Sequence, residues 1–221
     1  MEPLILYFVL FFPGIFASPF RGGASPGGPV LPQQITFSIV QELGRTLTYT
    51  LPSLALLWYI ISDKRGFSAL ETEKPRKQDL LPFAAGLPGL IIIGVGVSFL
   101  VSQFSGITAL VPPPMVEAPG SIPGWIVMVL SCLGTGYLEE SYFRYYLLTW
   151  LERYIDKTVF KILFSTALFS LCHIYEGPWG ILNAILAGVL LSLLFIRYRS
   201  LHGIAWAHGA YNIFVYAMGK L

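Results

Sequence analysis

Apolar runs divide the chain into seven, near 3–19, 44–62, 80–104, 122–151, 160–175, 178–196 and 201–219. A helix that crosses a bilayer needs roughly 20 predominantly apolar residues, and these runs approach or exceed that length. The pattern predicts an all-α fold, a polytopic membrane helix bundle of about seven transmembrane helices. The connectors differ in kind. "FRGGASPGGPVLPQQ" is rich in glycine and proline, "SDKRGFSALETEKPRKQ" is densely charged, and "SGITALVPPPMVEAPGSIPG" has prolines but no basic residue. Such stretches suit solvated loops. The first run begins "MEP", acidic where a signal peptide would be basic, so it reads as an uncleaved helix. No internal repeat is visible.

Composition sharpens this picture. Of 221 residues, 55% are hydrophobic and only 12% charged, with a mean hydropathy of +0.67. A soluble domain is about 25% charged, so the bilayer is the expected solvent. A net charge of +2 gives no basic surface for nucleic acid. Cys132 and Cys172 both lie in apolar runs, which argues against a disulfide framework.

Charge also sets orientation. Lys64, Arg65, Lys74, Arg76 and Lys77 follow the second run, Arg153, Lys157 and Lys161 the fourth, and Arg197 and Arg199 the sixth. The alternate connectors hold only Arg21, with Lys220 near the C-terminus. Basic residues near helix ends stay cytoplasmic, so the N-terminus is expected inside and the C-terminus outside.

Against this background, Glu139, Glu140, Arg144, His173, His208 and the amide of Asn212 stand out. An ionisable group at membrane depth costs roughly 2.5–3.5 kcal/mol on insertion scales and is a functional candidate by default. The bland alternative is helix–helix glue for a lone His or Asn, or a neutralised structural pair for Glu and Arg. Helix geometry separates the two glutamates. Glu140 and Arg144 stand at i,i+4 on one face, an arrangement that favours pairing. Glu139 lies about 100° around the helix and has no built-in partner. A carboxylate without a fixed cation suits a general base, whereas Glu140 and Arg144 read as structural support.

Depth gives an independent criterion. Counted from the nearest basic residue, Glu139, His173 and Asn212 all fall roughly 18–21 Å above the cytoplasmic boundary, with His208 one turn lower. His208 and Asn212 are i,i+4 and share a face. His202 lies at the cytoplasmic end of the last run and reads as interfacial. Asn183 reads as packing glue, and Cys172 has no nucleophilic role. Glu42 and Arg45 look like an interfacial pair at the outer end of the second run.

A carboxylate, two imidazoles and an amide, with no Ser or Cys nucleophile at their level, point to activated water. Glu139 would take the proton, a His would orient the water, and His208 with Asn212 would stabilise an oxyanion. The alternative is that Glu139, His173 and His208 hold a divalent metal such as zinc. The spacing is not the compact H-E-x-x-H of zincins, and the sequence leaves both readings open.

"EESYFR" matches E-E-x-x-x-R, "FSLCH" (Phe169 to His173) matches F-x-x-x-H, and "HGAYN" (His208 to Asn212) matches H-x-x-x-N. Each motif alone is common, but the three in this order on successive apolar helices are fairly specific. They resemble the CPBP or Abi family of intramembrane proteases, which includes the type II CAAX prenyl endopeptidases. The resemblance implies a catalytic helix core over 122–219, preceded by motif-free membrane helices over 1–121. It also implies a cavity open to the cytosol and the bilayer. Glu139 and His173 would activate the water and His208 and Asn212 form the oxyanion site, in a family labelled metalloprotease by some and metal-independent by others.

The expected function is therefore an intramembrane endopeptidase acting on a peptide or protein substrate near the membrane, of which CAAX-type prenylated chains are one form. Its setting is an integral, multi-pass one, the cell membrane if the chain is bacterial. The competing readings are a non-catalytic Abi-type immunity or binding protein and a proton-coupled transporter. The transporter would show two related halves with broken helices, and the sequence has no such symmetry.

Overall fold

The computed structural model describes residues 2–17, 34–62, 74–103 and 115–218. Most of the three long connectors, with Arg21, Lys64, Arg65 and Lys220, lies outside the described residues. The rest forms seven helical segments. Helix α1 is Glu2–Ala17. Helix α2 joins Ile39–Arg45, a π-helical stretch Thr46–Thr50, and Leu51–Ser62. Helix α3 is Lys77–Gln103, opening with a 3-10 turn, and α4 is Ile122–Leu151, with a π-helical stretch over Ser141–Leu148. Helices α5, α6 and α7 are Thr158–Leu171, Gly177–Tyr198 and Leu201–Met218. A two-residue parallel pair, Gln34–Ile35 (β1) with Met115–Val116 (β2), joins two connectors.

The expected all-α membrane bundle is what the chain forms. Three segments, α3, α4 and Ile174–Tyr198, are long and apolar enough to cross a membrane. Large apolar side chains face outward, among them Ile92, Phe99, Ile122, Leu130, Phe160 and Leu163. Charged and hydroxyl groups are turned inward, including Glu140, Arg144, His208, Ser141, Ser165 and Ser192. That arrangement suits a lipid solvent, where outward-facing polar groups would go unsatisfied.

Sequence dictates where the helices start and stop. Ser38 caps α2 by accepting from the Gln41 amide, and Ser121 caps α4 by accepting from the Gly124 amide, as hydroxyl side chains do for otherwise orphaned N–H groups. The α2 helix therefore begins five residues before its apolar run, which adds Glu42 to the helix one turn ahead of Arg45. Helix α5 stops at Leu171, short of the expected 175. Gly177 adopts φ 76° just before Pro178. Positive φ favours glycine, and the residue ahead of a proline is pushed out of the helical region. His173 consequently sits in the α5–α6 turn and not on a helix face.

The first helix is built into the bundle. Tyr7 donates to the Leu168 carbonyl at 3.1 Å, Tyr142 to the Pro3 carbonyl at 2.6 Å, and Tyr49 to the Leu10 carbonyl. The Tyr146 hydroxyl donates to Glu2 Oε1 at 2.7 Å. Rings of Tyr7, Phe11, Tyr142, Phe143 and Phe169 pack edge-on or tilted around these bonds. Helices α4 and α7 also approach closely. A Cβ on Gly136 would stand 2.8 Å from the Ala205 carbonyl oxygen and 2.9 Å from the Gly209 amide nitrogen. Only glycine lets two backbones come that near.

Gly136→Ala is therefore expected to push α7 away from α4 at the level of Glu139, Glu140 and His208. Overpacking of this kind costs about 1–3 kcal/mol. Thermal unfolding in detergent should show the loss, and unchanged stability would mean that the helices can slide apart freely.

Candidate active site

Four of the expected site residues meet directly. Glu139 and Glu140 end the α-helical part of α4, just before its π-helical stretch. Arg144 lies within that stretch, fully buried, and its NH1 donates to Glu140 Oε1 at 3.0 Å. The i,i+4 pair expected from sequence is thus present. Its NH2 reaches the Gly188 carbonyl of α6 at 3.4 Å, and the guanidinium lies 4.3 Å from the Phe169 ring centroid. Such a stacked, hydrogen-bonded placement suits a buried arginine.

Glu140 has a second partner that helix spacing did not suggest. Its Oε1 lies 2.7 Å from His208 Nδ1 on α7. An ionised carboxylate only accepts, so Nδ1 is the donor. That bond turns His208 Nε2 toward Glu139, whose Oε2 is 3.6 Å away. Glu139 Oε2 is buried and has no hydrogen-bond partner, although the side chain as a whole keeps 16% exposure. The order across the site is Arg144, Glu140, His208, Glu139: a guanidinium and a carboxylate hold an imidazole against a second, unpartnered carboxylate.

His173 joins this group through Phe169. Its Nδ1 donates to the Phe169 carbonyl at 2.9 Å, leaving Nε2 as the nitrogen with a lone pair. The Phe169 ring packs against His173 at 4.7 Å and His208 at 6.0 Å between centroids, and Tyr175 also stacks on His173. Asn212 lies one turn beyond His208 on α7 and is half-buried. Neither His173 nor Asn212 hydrogen-bonds Glu139. His202 lies apart, half-buried, with Nδ1 2.8 Å from the Tyr137 hydroxyl and its ring stacked on Trp206.

Sequence reasoning missed several supports. Phe169 is the aromatic of F-x-x-x-H, and its ring spaces two imidazoles and a guanidinium. Gly136 and Gly209 allow α4 and α7 to touch beside the site, and glycines inside apolar helices were the available signal. Glu42 and Arg45 are also more than an interfacial pair, because both hydrogen-bond to residues of α4.

Glu139, His173 and His208 do not form a metal-binding set. Among the described residues no three His, Cys, Asp or Glu side chains converge to hold an ion. The residues do not fit a resident metal, and the metalloprotease label finds no support in them.

A bundle with an apolar exterior and an internal carboxylate–imidazole–guanidinium cluster defines a helical membrane protein with acid–base groups in its interior. Residues 121–214, which include every residue of that cluster, match the family model described as type II CAAX prenyl endopeptidase Rce1-like. The match covers 94 of the 221 residues, so this stretch of the chain is similar to the type II CAAX prenyl endopeptidases. No curated protein and no solved structure matches the chain.

Proposed function

We propose that the chain is a multi-pass intramembrane endopeptidase of the glutamate type, acting on CAAX-like C-terminal segments. The observation that carries the reading is the unpartnered Oε2 of Glu139 facing His208 Nε2 at 3.6 Å, within a segment that matches the family. An orphaned buried acceptor is costly, and a water molecule shared with His173 is the partner this reading supplies. Glu139 takes a proton from that water, and the oxygen attacks the scissile carbonyl carbon. His208, carrying a proton on each ring nitrogen between the two carboxylates, donates Nε2–H to the oxyanion as it forms, and the Asn212 amide donates beside it. Glu139 then passes its proton to the departing amine nitrogen, the C–N bond breaks, and a carboxylate and an amine result. Glu140 and Arg144 touch no reacting atom; they hold His208 in place.

The test uses the full chain reconstituted in liposomes with a fluorogenic CAAX-type peptide. Cleavage by the wild-type chain and its absence in Glu139→Gln is the expected result. Phenanthroline or EDTA should leave cleavage intact, because water held by Glu139 and His173 needs no ion. Loss on chelation, with recovery on adding zinc, would overturn the metal-free mechanism.

A further inference from the structure

The network of Glu42 and Arg45 goes beyond what hydrolysis requires. Arg45 NH2 donates to Glu42 Oε2 at 2.8 Å and to Ser131 Oγ at 2.6 Å, while NH1 donates to Thr135 Oγ1 at 3.2 Å. Ser131 in turn donates to Glu42 Oε2 at 2.7 Å. Ser131, Thr135 and Glu139 follow one another at i, i+4 and i+8 along α4, so they form one polar strip. Thr135 stands one turn, about 6 Å along the axis, from Glu139. It is also about 20 Å from the start of α4 at Ile122 and about 24 Å from its end at Leu151. Arg45 therefore delivers a guanidinium to mid-helix depth.

These groups are not sealed in protein. The side chain of Arg45 is 39% exposed and that of Glu42 19%, and Thr135 and Glu139 are half-buried. Exposed charge and hydroxyl at this depth can face only water or lipid, and lipid is the costly choice. Both ends of the strip adjoin π-helical stretches, Thr46–Thr50 just after Arg45 and Ser141–Leu148 just after Glu140. Such stretches cluster at functional sites.

We infer that the cleft between α2 and α4 is a wetted notch through which water reaches Glu139, with Arg45 and Glu42 as its charge-neutral mouth and Thr135 as its last polar station. The supply role rests on Glu139 being the base, but the wetting of the notch does not.

Two measurements test this on the full chain in phosphatidylcholine liposomes. In a background with Cys132 and Cys172 replaced by alanine, single cysteines are placed at Thr135 and at Leu130, which faces outward at 59% exposure. A charged methanethiosulfonate reagent, applied to both faces, should label the Thr135 position about a hundredfold faster, the discrimination expected for a charge excluded from hydrocarbon. Thr135→Val should lower kcat for the CAAX-type peptide about tenfold, roughly the effect of one lost hydrogen bond. KM should stay unchanged, and Thr135→Ser should restore the rate. Equal labelling of the two positions overturns the notch. Fast labelling with an unaltered kcat in Thr135→Val overturns the supply role. Fast labelling in a preparation without any turnover supports the notch while removing the peptidase reading.

Discussion

Glu139→Gln is expected to give a folded protein that does not turn over. The amide keeps the size and hydrogen-bonding ability of the carboxylate, and the site tolerates a neutral group because Glu139 anchors no ion pair with Arg144. What disappears is the base. Removal of a positioned general base typically costs about 10²–10⁴ in rate. The unfolding temperature in detergent should stay near that of the wild type while peptide cleavage falls to the background of empty liposomes. Full cleavage by Glu139→Gln would end the assignment of Glu139 as the base.

Arg144→Ala should act mainly on folding. Arg144 is fully buried and satisfies Glu140, the Gly188 carbonyl and the face of Phe169 together. Its removal takes from a fully buried carboxylate its guanidinium and leaves it only His208, and breaking a buried pair in this way costs about 3–5 kcal/mol. Folded yield by size exclusion should drop sharply. Glu140→Gln combined with Arg144→Gln leaves no net charge behind and should fold better than either single change. The double variant should still be slow per folded molecule, because Glu140 also fixes His208 through Nδ1. A well-folded, inactive Arg144→Ala protein would instead place the arginine in the chemistry.

Much of this architecture could be read from the chain. Runs of apolar residues near 20 long mark seven segments, and the motif residues stood out because charge is rare among them. What could not be read depends on contacts between distant segments. The Glu140–His208 bond spans 68 positions and requires α4 and α7 to touch at Gly136, which no helical spacing encodes. Periodicity also missed the π-helical stretches Thr46–Thr50 and Ser141–Leu148, because a π-helical stretch inside a longer helix carries no hydrophobic spacing of its own. The early start of α2 was missed for another reason. Gln41 and Glu42 are polar, and an apolar run is blind to a helix that continues beyond it with its polar residues turned toward a neighbour.

The early end of α5 has a consequence for the surrounding lipid. Its 14 residues rise about 21 Å, well short of about 30 Å of hydrocarbon. Val159, Phe160, Leu163 and Leu171 nonetheless face outward. Thinning is one way a bilayer meets so short an apolar face, and such a dimple would lie beside the turn that carries His173. It would bring headgroups closer to the level of the cluster. On the proposed peptidase reading, acyl-chain length would govern how easily a membrane-anchored substrate reaches Glu139, with thick, sterol-rich bilayers making that approach hardest.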